Sequence, residues 1–246
     1  MPETTVWATN EDGSIEYVQI TKNLLQEALD VMHRSFYINE NVCTALGLPE
    51  HPESFPDMDH LVRLVAKDGI SIAAIHKETG KIAGVSFNNL QTFSLSVDYK
   101  KCIKACTSPI TRNIIQWMSD VDDSINIFEH TKTDTGIEIM FVGILPEFRK
   151  RGIAKKLFEV SISLAKKMNE GIDVRIPIDE DKLEIVRPPE IVSAVCTTFV
   201  TQKIAKSFQF ETAKVLDYEQ FVFDGIPLSE KISKTTKNLT YEYYRL

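Results

Sequence analysis

One stretch of the sequence decides the fold: residues 139–154, which read IMFVGILPEFRKRGIA. An apolar run reaches Pro146, and three cationic residues, Arg149, Lys150 and Arg151, lead into Gly152 and a long amphipathic segment. This order predicts a β-strand that feeds the N-terminus of a helix through a tight turn. Backbone N–H groups, the positive end of the helix and fixed charge then meet at one point. The stretch therefore predicts a site for a phosphorylated ligand, such as the pyrophosphate of a cofactor.

The composition is that of a globular chain. The sequence has 246 residues, 43% of them apolar, and no linker rich in Pro, Gly or Ser, so we expect one domain over residues 1–246, with an excursion at 171–190. The net charge of −7 argues against nucleic acid as a partner. We expect neither a signal peptide nor a membrane span. The four cysteines form no CxxC pair, which favours reduced thiols and a cytoplasmic location.

The hydrophobic pattern predicts alternating strands and helices. A turn at residues 77–80 joins two strand candidates, and residues 98–128 are predicted helical in two pieces that break near Ser108 and Pro109. The predicted strands cover residues 15–20, 70–75, 81–87, 137–144, 191–196, 215–223 and 239–244, and the other helices cover 24–36, 153–168 and 197–208. The fold class is therefore α/β, a mixed sheet with helices on both faces.

Three segments carry a resemblance to a known family: residues 35–42, 142–157 and 192–210. Together with the order of elements, they resemble the GNAT superfamily of acyl-CoA-dependent N-acyltransferases, and within it the insect arylalkylamine N-acetyltransferase-like branch. The resemblance covers nearly the whole chain. It implies the GNAT fold, a central twisted mixed sheet, and acetyl-CoA as the acyl donor.

The resemblance implies a cofactor site in the opening stretch. Backbone N–H groups of Lys150, Arg151, Gly152, Ile153 and Ala154 would hold the pyrophosphate, with added charge from Arg149 and Arg151. The edge of the preceding strand would pair with the amides of the pantetheine arm, and Pro146 would help to splay this strand from the next. That edge consists of Val142, Gly143 and Ile144.

The acceptor half of the site is implied by the other two segments. An alkylamine is mostly protonated at neutral pH, so a base must take a proton before or during attack. By resemblance that base is Glu40, although a solvated carboxylate is the ordinary role of a glutamate. The branch's two hydroxyls match Thr197 and Thr201, with Thr197 near the helix N-cap. Thr198 competes for the cap, and a purely structural role for the threonines stays open.

The sequence departs from the family at further positions. Val200 stands where many members place a tyrosine that protonates the departing CoA thiolate. Gln209 replaces a glycine that commonly ends the helix with positive φ, which predicts a strained or different helix end. Cys196 is expected to be a core thiol, and the cluster of Asp120, Asp122 and Asp123 a solvated helix face rather than a metal site. No metal is expected.

These features predict an N-acetyltransferase that acts by direct attack in a ternary complex. The expected acceptor is a small primary amine, an arylalkylamine such as dopamine, serotonin or tyramine. Agmatine, a polyamine or another aliphatic amine is the alternative, as are longer acyl donors. A protein N-terminus or lysine as acceptor, and a non-catalytic acyl-CoA-binding protein, also stay open. The oligomeric state is not readable, with a monomer favoured.

Overall fold

A mixed sheet of eight strands forms the centre of the molecule in the computed structural model, which describes residues 5–92, 97–179, 183 and 187–246. The first half of the chain contains β1 (Val6–Thr9), β2 (Ile15–Gln19), α1 (Leu25–Arg34), α2 (Phe36–Asn39), α3 (Asn41–Ala45), α4 (Phe55–Ala66), β3 (Ile72–His76), β4 (Ile82–Thr92), α5 (Tyr99–Ala105) and α6 (Pro109–Asp123). The second half contains α7 (Ile127–Thr131), β5 (Thr135–Ile144), α8 (Ile153–Asn169), β6 (Ile191–Cys196), α9 (Phe199–Ser207), β7 (Glu211–Asp217), β8 (Val222–Phe223), β9 (Ile226–Pro227), α10 (Leu228–Lys231) and β10 (Asn238–Arg245).

The strands lie in the order β1-β2-β3-β4-β5-β6-β10-β7, and β8 and β9 form a separate two-stranded hairpin. Within the large sheet β5 and β6 pair in parallel, and the other neighbours pair antiparallel. This sheet confirms the predicted mixed α/β fold class. Its parallel pair lies at the middle, where the chain crosses over through α8.

Helices cover both faces of the sheet because its strands are apolar on both sides. On β2, Tyr17 packs in a core with residues of α8, and its neighbour Val18 packs in a second core with residues of α1 and α4. Successive side chains of a strand point to opposite faces, so β2 contributes to both cores. The prediction of helices on both faces is confirmed.

Several predicted elements are confirmed. The turn at residues 77–80 joins β3 to β4, α5 and α6 are separated near Ser108 and Pro109, and α8 and β6 match their predicted ranges closely. The described part of the predicted excursion, residues 171–179, 183 and 187–190, contains no helix or strand. The remaining residues of the excursion lie outside the described part of the chain.

Other predicted elements differ from the structure. The predicted helix over residues 24–36 ends at Arg34, because Ser35 leaves helical geometry with φ −133° and donates its hydroxyl hydrogen to the carbonyl of Val31. The predicted strand 215–223 is β7 at Glu211–Asp217, a short turn and then β8. In the described ranges, no helix is both long and apolar enough to cross a membrane.

Candidate active site

The turn between β5 and α8 leaves a series of backbone N–H groups unpaired. Lys150 and Gly152 both take left-handed conformations, with φ of 63° and 75°, and α8 begins at the next residue. No N–H group of residues 150–155 donates a hydrogen bond to the described part of the chain, whereas the N–H of Lys156 donates to the carbonyl of Gly152 at 3.0 Å. A helix start ordinarily leaves about four such groups. The turn extends this set and makes it a ready site for an anion.

Cationic side chains surround these N–H groups. Arg149, Lys150 and Arg151 are exposed, and none of them forms an ion pair with a carboxylate of the described residues. The guanidinium of Arg151 lies 5.4 Å from the ring centroid of Phe148. A Cβ on Gly152 would meet no atom within 4 Å, so glycine is favoured here by its positive φ.

A splay between β5 and β6 opens the sheet next to this turn. The two strands pair only at residues 136–138 with 191–193, so β5 has no β6 partner from Ile139 to Ile144. Opposite β4, Phe87 pairs with Phe141 and Asn88 pairs with Ile139, which leaves Met140 as a bulged residue. A bulge bends its strand and increases its twist. The strands thus separate from Ile139 onward, well before Pro146, whose contribution to the splay stays a prediction.

One cavity of about 650 Å³ runs from the turn through the splay to α5 and α6. It brings together the predicted catalytic residues Glu40, Thr197 and Thr201 with all but one of the predicted cofactor residues. The cofactor residues that line it are Val142, Gly143, Ile144, Arg149, Lys150, Gly152, Ile153 and Ala154. Arg151 is not part of the lining.

Glu40 caps the N-terminus of α3. Its Oε2 accepts hydrogen bonds from the backbone N–H groups of Val42 and Cys43, at 2.8 and 2.9 Å. Its Oε1 is buried and accepts no hydrogen bond from a described residue. Burial raises the pKa of this carboxyl, against the lowering effect of the Cys43 N–H and the nearby Thr197 hydroxyl. The residue therefore presents a free carboxylate oxygen whose proton affinity is higher than usual.

The threonines at the start of α9 have different tasks. Thr198 is the N-cap, since its hydroxyl accepts from the N–H of Thr201 at 3.1 Å, and Thr197 lies directly before it, so of the two candidates Thr198 takes the cap. The hydroxyl of Thr201 accepts from the N–H of Thr198 and donates to its carbonyl at 2.9 Å. These bonds form a capping box, which ties the Thr201 hydroxyl to helix structure. The Thr197 hydroxyl remains the one near Glu40.

Two residues of this region were missed from the sequence. The carbonyl of Thr197 accepts hydrogen bonds from Asn41 Nδ2 at 2.7 Å and from the hydroxyl of Tyr218 at 2.6 Å. Tyr218 is buried and does not line the cavity. Its sequence surroundings give no signal, since it lies in a short turn after β7.

The far end of the cavity is acidic. Asp122 of α6 and Glu138 of β5 both line it. Asp120 and Asp123 are exposed as predicted, but Asp122 is half-buried, so the prediction of a solvated face is wrong for this residue. Glu138 interrupts the apolar run between Ile137 and Ile139, and that interruption was the available sequence signal.

The departures noted in the sequence are also visible. Val200 lines the cavity with 48% of its surface exposed. Gln209 follows the end of α9 and has a φ of 63°. Of the two predicted helix ends, strained or different, this is the strained one. Cys196 is buried, and burial raises the pKa of its thiol to about 12, as for an unreactive core cysteine. Across the described residues, no three His, Cys, Asp or Glu side chains are grouped to hold a metal ion.

Comparison with solved structures places this fold among acetyltransferases. Arylalkylamine N-acetyltransferase 2 of Aedes aegypti superimposes with a TM-score of 0.75 at 19% identity, covering 94% of this chain and 98% of that protein. A mosquito arylalkylamine N-acetyltransferase-like protein, 5b, gives a TM-score of 0.70 at 13% identity, covering 95% of this chain and 100% of that protein. The polyamine N-acetyltransferase of Drosophila melanogaster, which catalyses the formation of N-acetylagmatine, gives a TM-score of 0.66 at 12% identity, covering 94% of this chain and 100% of that protein.

No protein-family model and no curated protein matches the sequence. At these identities the structural likeness establishes the fold. The chain has the GNAT fold of the insect arylalkylamine N-acetyltransferases, as the resemblance predicted.

Proposed function

We propose that this chain is an acyl-CoA-dependent N-acetyltransferase that transfers the acetyl group of acetyl-CoA to a small primary amine. One observation carries the proposal: a single cavity joins the turn of unpaired N–H groups, which it meets at residues 150 and 152–155, to the buried carboxylate of Glu40. The first group suits a phosphate and the second suits proton removal. The named activities of the proteins that share the fold support the same reaction.

The residues along the cavity fit acetyl-CoA. The N–H groups of residues 150–155 would hold the pyrophosphate, with Arg149 and Arg151 adding charge. The unpaired edge of β5 at Val142, Gly143 and Ile144 would bond the amides of the pantetheine arm. When bound, acetyl-CoA supplies a thioester carbonyl carbon that the amine attacks directly, with CoA thiol as the leaving group.

Glu40 is the proposed base. A primary alkylamine has a pKa of about 10.4, so the bound ammonium must lose a proton before its nitrogen can attack. The free Oε1 of Glu40 would accept that proton, directly or through a water molecule. Burial raises the pKa of Glu40 and so reduces the mismatch between base and amine. The Thr197 hydroxyl would assist by hydrogen bonding to the carboxylate.

The departing thiolate needs no dedicated acid in this proposal. Val200 carries no proton to donate, and the Thr201 hydroxyl donates to the Thr198 carbonyl. A thiol with a pKa of about 8.5 leaves tolerably as a thiolate near neutral pH. Water at the open cavity mouth can then supply the proton.

The acceptor we propose first is an arylalkylamine, because Phe36, Trp117 and Phe141 give the cavity aromatic walls. An aliphatic amine such as agmatine or a polyamine is the alternative, which the acidic far end of the cavity favours.

We also propose a single domain over residues 1–246, since β1 and β10 belong to one sheet. A monomer in the cytoplasm completes the proposal, and the four buried free cysteines support that compartment.

The test is CoA-thiol release from acetyl-CoA with a panel of aromatic, aliphatic and polyamine acceptors. Glu40→Gln keeps the size and the N-cap oxygen of the side chain but removes the base, so we expect turnover to fall by about 100-fold or more. Acetyl-CoA binding should be unchanged. Glu50→Gln, on an exposed turn nearby, is the matched control and should retain full turnover. Tight acetyl-CoA binding without release for any amine would instead indicate a non-catalytic binding protein.

A further inference from the structure

The far end of the cavity combines a helix face with one strand residue. On α6, Ile114, Trp117, Met118 and Val121 line the cavity at helical spacing, and Asp122 continues this lining at the end of the helix. Across from them, Glu138 is the last residue of β5 that pairs with β6. The splay that would take the thioester arm begins at the next residue. The two carboxylates therefore lie beyond the end of that arm, where the acceptor would extend.

The protein satisfies these carboxylates only in part, through Gln91 for Glu138 and the Tyr99 hydroxyl for Asp122. Glu138 is only 3% exposed; its Oε2 accepts a hydrogen bond from Gln91 Nε2 at 2.7 Å, and its Oε1 accepts none from the described residues. Neither Glu138 nor Asp122 forms an ion pair with a Lys, Arg or His in the described ranges. An incompletely satisfied polar group is costly to bury, so this end of the cavity suits a polar ligand.

The charge of the pair indicates the kind of ligand. Burial and then the charge of Asp122 raise the pKa of Glu138 well above its ordinary value. Burial raises the pKa of Asp122 to about 7, against the lowering effect of the Tyr99 hydroxyl, and Asp123 raises it further. Both raised pKa values show that burying the two carboxylates together disfavours their charged forms. A cation would favour full ionisation, and charge-assisted hydrogen bonds are stronger than those of a neutral hydroxyl.

We propose that Asp122 and Glu138 bind a second, cationic nitrogen group at the distal end of an aliphatic acceptor, so that among aliphatic amines those with an ammonium or guanidinium remote from the reacting amine are preferred. This inference rests on the proposed acetyltransferase function and specifies its acceptor. Glu40 and this pair would then hold the two ends of one acceptor within the same cavity.

The experiment compares pentylamine with 1,5-diaminopentane, which differ only in the distal ammonium, and includes agmatine and tyramine as guanidinium and phenol acceptors. We expect the diamine to have kcat/KM at least about tenfold above pentylamine, which corresponds to about 1.4 kcal/mol. Asp122→Asn and Glu138→Gln should each lower kcat/KM for 1,5-diaminopentane and agmatine by about tenfold, and leave pentylamine within about twofold. Asp120→Asn removes an exposed charge of the same helix. It should leave kcat/KM unchanged both for the two dicationic acceptors and for pentylamine.

Other outcomes would overturn the inference. An equal loss with pentylamine and diamine would indicate a structural role, and a selective loss with tyramine would indicate a phenol site. Turnover without a diamine preference would contradict the inference but leave the proposed function standing. If no amine releases CoA thiol, the proposed function fails. Binding at the subsite is then tested by comparing the shifts in Tm that 1,5-diaminopentane and pentylamine cause. The subsite is supported if 1,5-diaminopentane raises the Tm more than pentylamine does and if this difference is lost in Glu138→Gln. Equal shifts in Tm for the two amines would reject the subsite.

Discussion

The hydroxyl of Tyr218 donates a hydrogen bond of 2.6 Å to the carbonyl oxygen of Thr197, which also accepts from Asn41 Nδ2 at 2.7 Å. Asn41 directly follows Glu40, so one carbonyl oxygen links α3, the start of α9 and the turn after β7. Burial and the charge of Glu40 raise the pKa of Tyr218, which keeps it a proton donor to this carbonyl. We infer that Tyr218 positions the junction that carries Thr197.

Tyr218→Phe tests this positioning role. The loss of one hydrogen bond should lower the free energy of unfolding by about 1 kcal/mol. If the junction then shifts, kcat should fall about fivefold, while the KM for acetyl-CoA stays unchanged because the cofactor turn is separate. Denaturant unfolding and steady-state kinetics measure the two effects. Tyr17→Phe is the control, since the buried Tyr17 hydroxyl has no partner among the described residues, and its loss should not destabilise the protein. Wild-type kcat in Tyr218→Phe would contradict the positioning role.

The pH dependence of kcat/KM tests the role of Glu40. A base must be ionised, so activity should be present above its pKa and lost as the pH falls through it. Since burial raises the pKa of Glu40, the acid limb of the wild-type profile should lie above about 4.3, the ordinary value for glutamate. The residual activity of Glu40→Gln should lack this limb. An identical acid limb in both proteins would assign it to another group.

Local pattern predicted the cofactor half of the site better than the acceptor half. The turn at residues 149–152 and helix α8 depend on neighbouring residues, so the sequence indicated both. Asp122 was assigned to solvent, because helical spacing alone does not reveal a cavity opposite the last turn of α6. Tyr218 was missed because only the tertiary fold brings it to Thr197. The bulge at Met140 has no sequence signal, because it depends on the register between β5 and β4.

Gln209 gives a test of backbone strain. Its φ of 63° is a conformation that costs a residue with a Cβ about 1 kcal/mol, and glycine adopts it freely. Gln209→Gly should therefore raise the free energy of unfolding by up to about 1 kcal/mol. Ser207→Gly, at the last helical residue of α9, should lower it by about 0.5 kcal/mol. Destabilisation by Gln209→Gly would show that the side chain contributes more than the strain costs.

Gly143 and Ser35 form a close contact between β5 and the chain after α1. A Cβ on Gly143 would lie 2.5 Å from the Ser35 hydroxyl oxygen and 3.4 Å from Met32 Sδ. Gly143→Ala should thus destabilise the protein by about 1–3 kcal/mol, as expected of overpacking. Ser35→Ala removes the hydroxyl, so the double variant should be more stable than the sum of the single effects predicts. Additive effects in denaturant unfolding would place the strain elsewhere, in the backbone or at Met32.

The stability of Asp122→Asn should depend on pH in a defined direction. The folded pKa of Asp122, about 7, lies above the value of about 3.9 expected in the unfolded chain. The folded state therefore holds this proton more tightly, and the wild type loses stability as the pH rises from about 4 through 7. Asparagine cannot ionise, so the variant lacks this loss, and its stability relative to the wild type should increase across that range. Asp120→Asn should show no such trend. A constant or shrinking difference in free energy of unfolding would mean that Asp122 ionises at least as readily in the folded protein as in the unfolded chain. That result would contradict a raised pKa for Asp122.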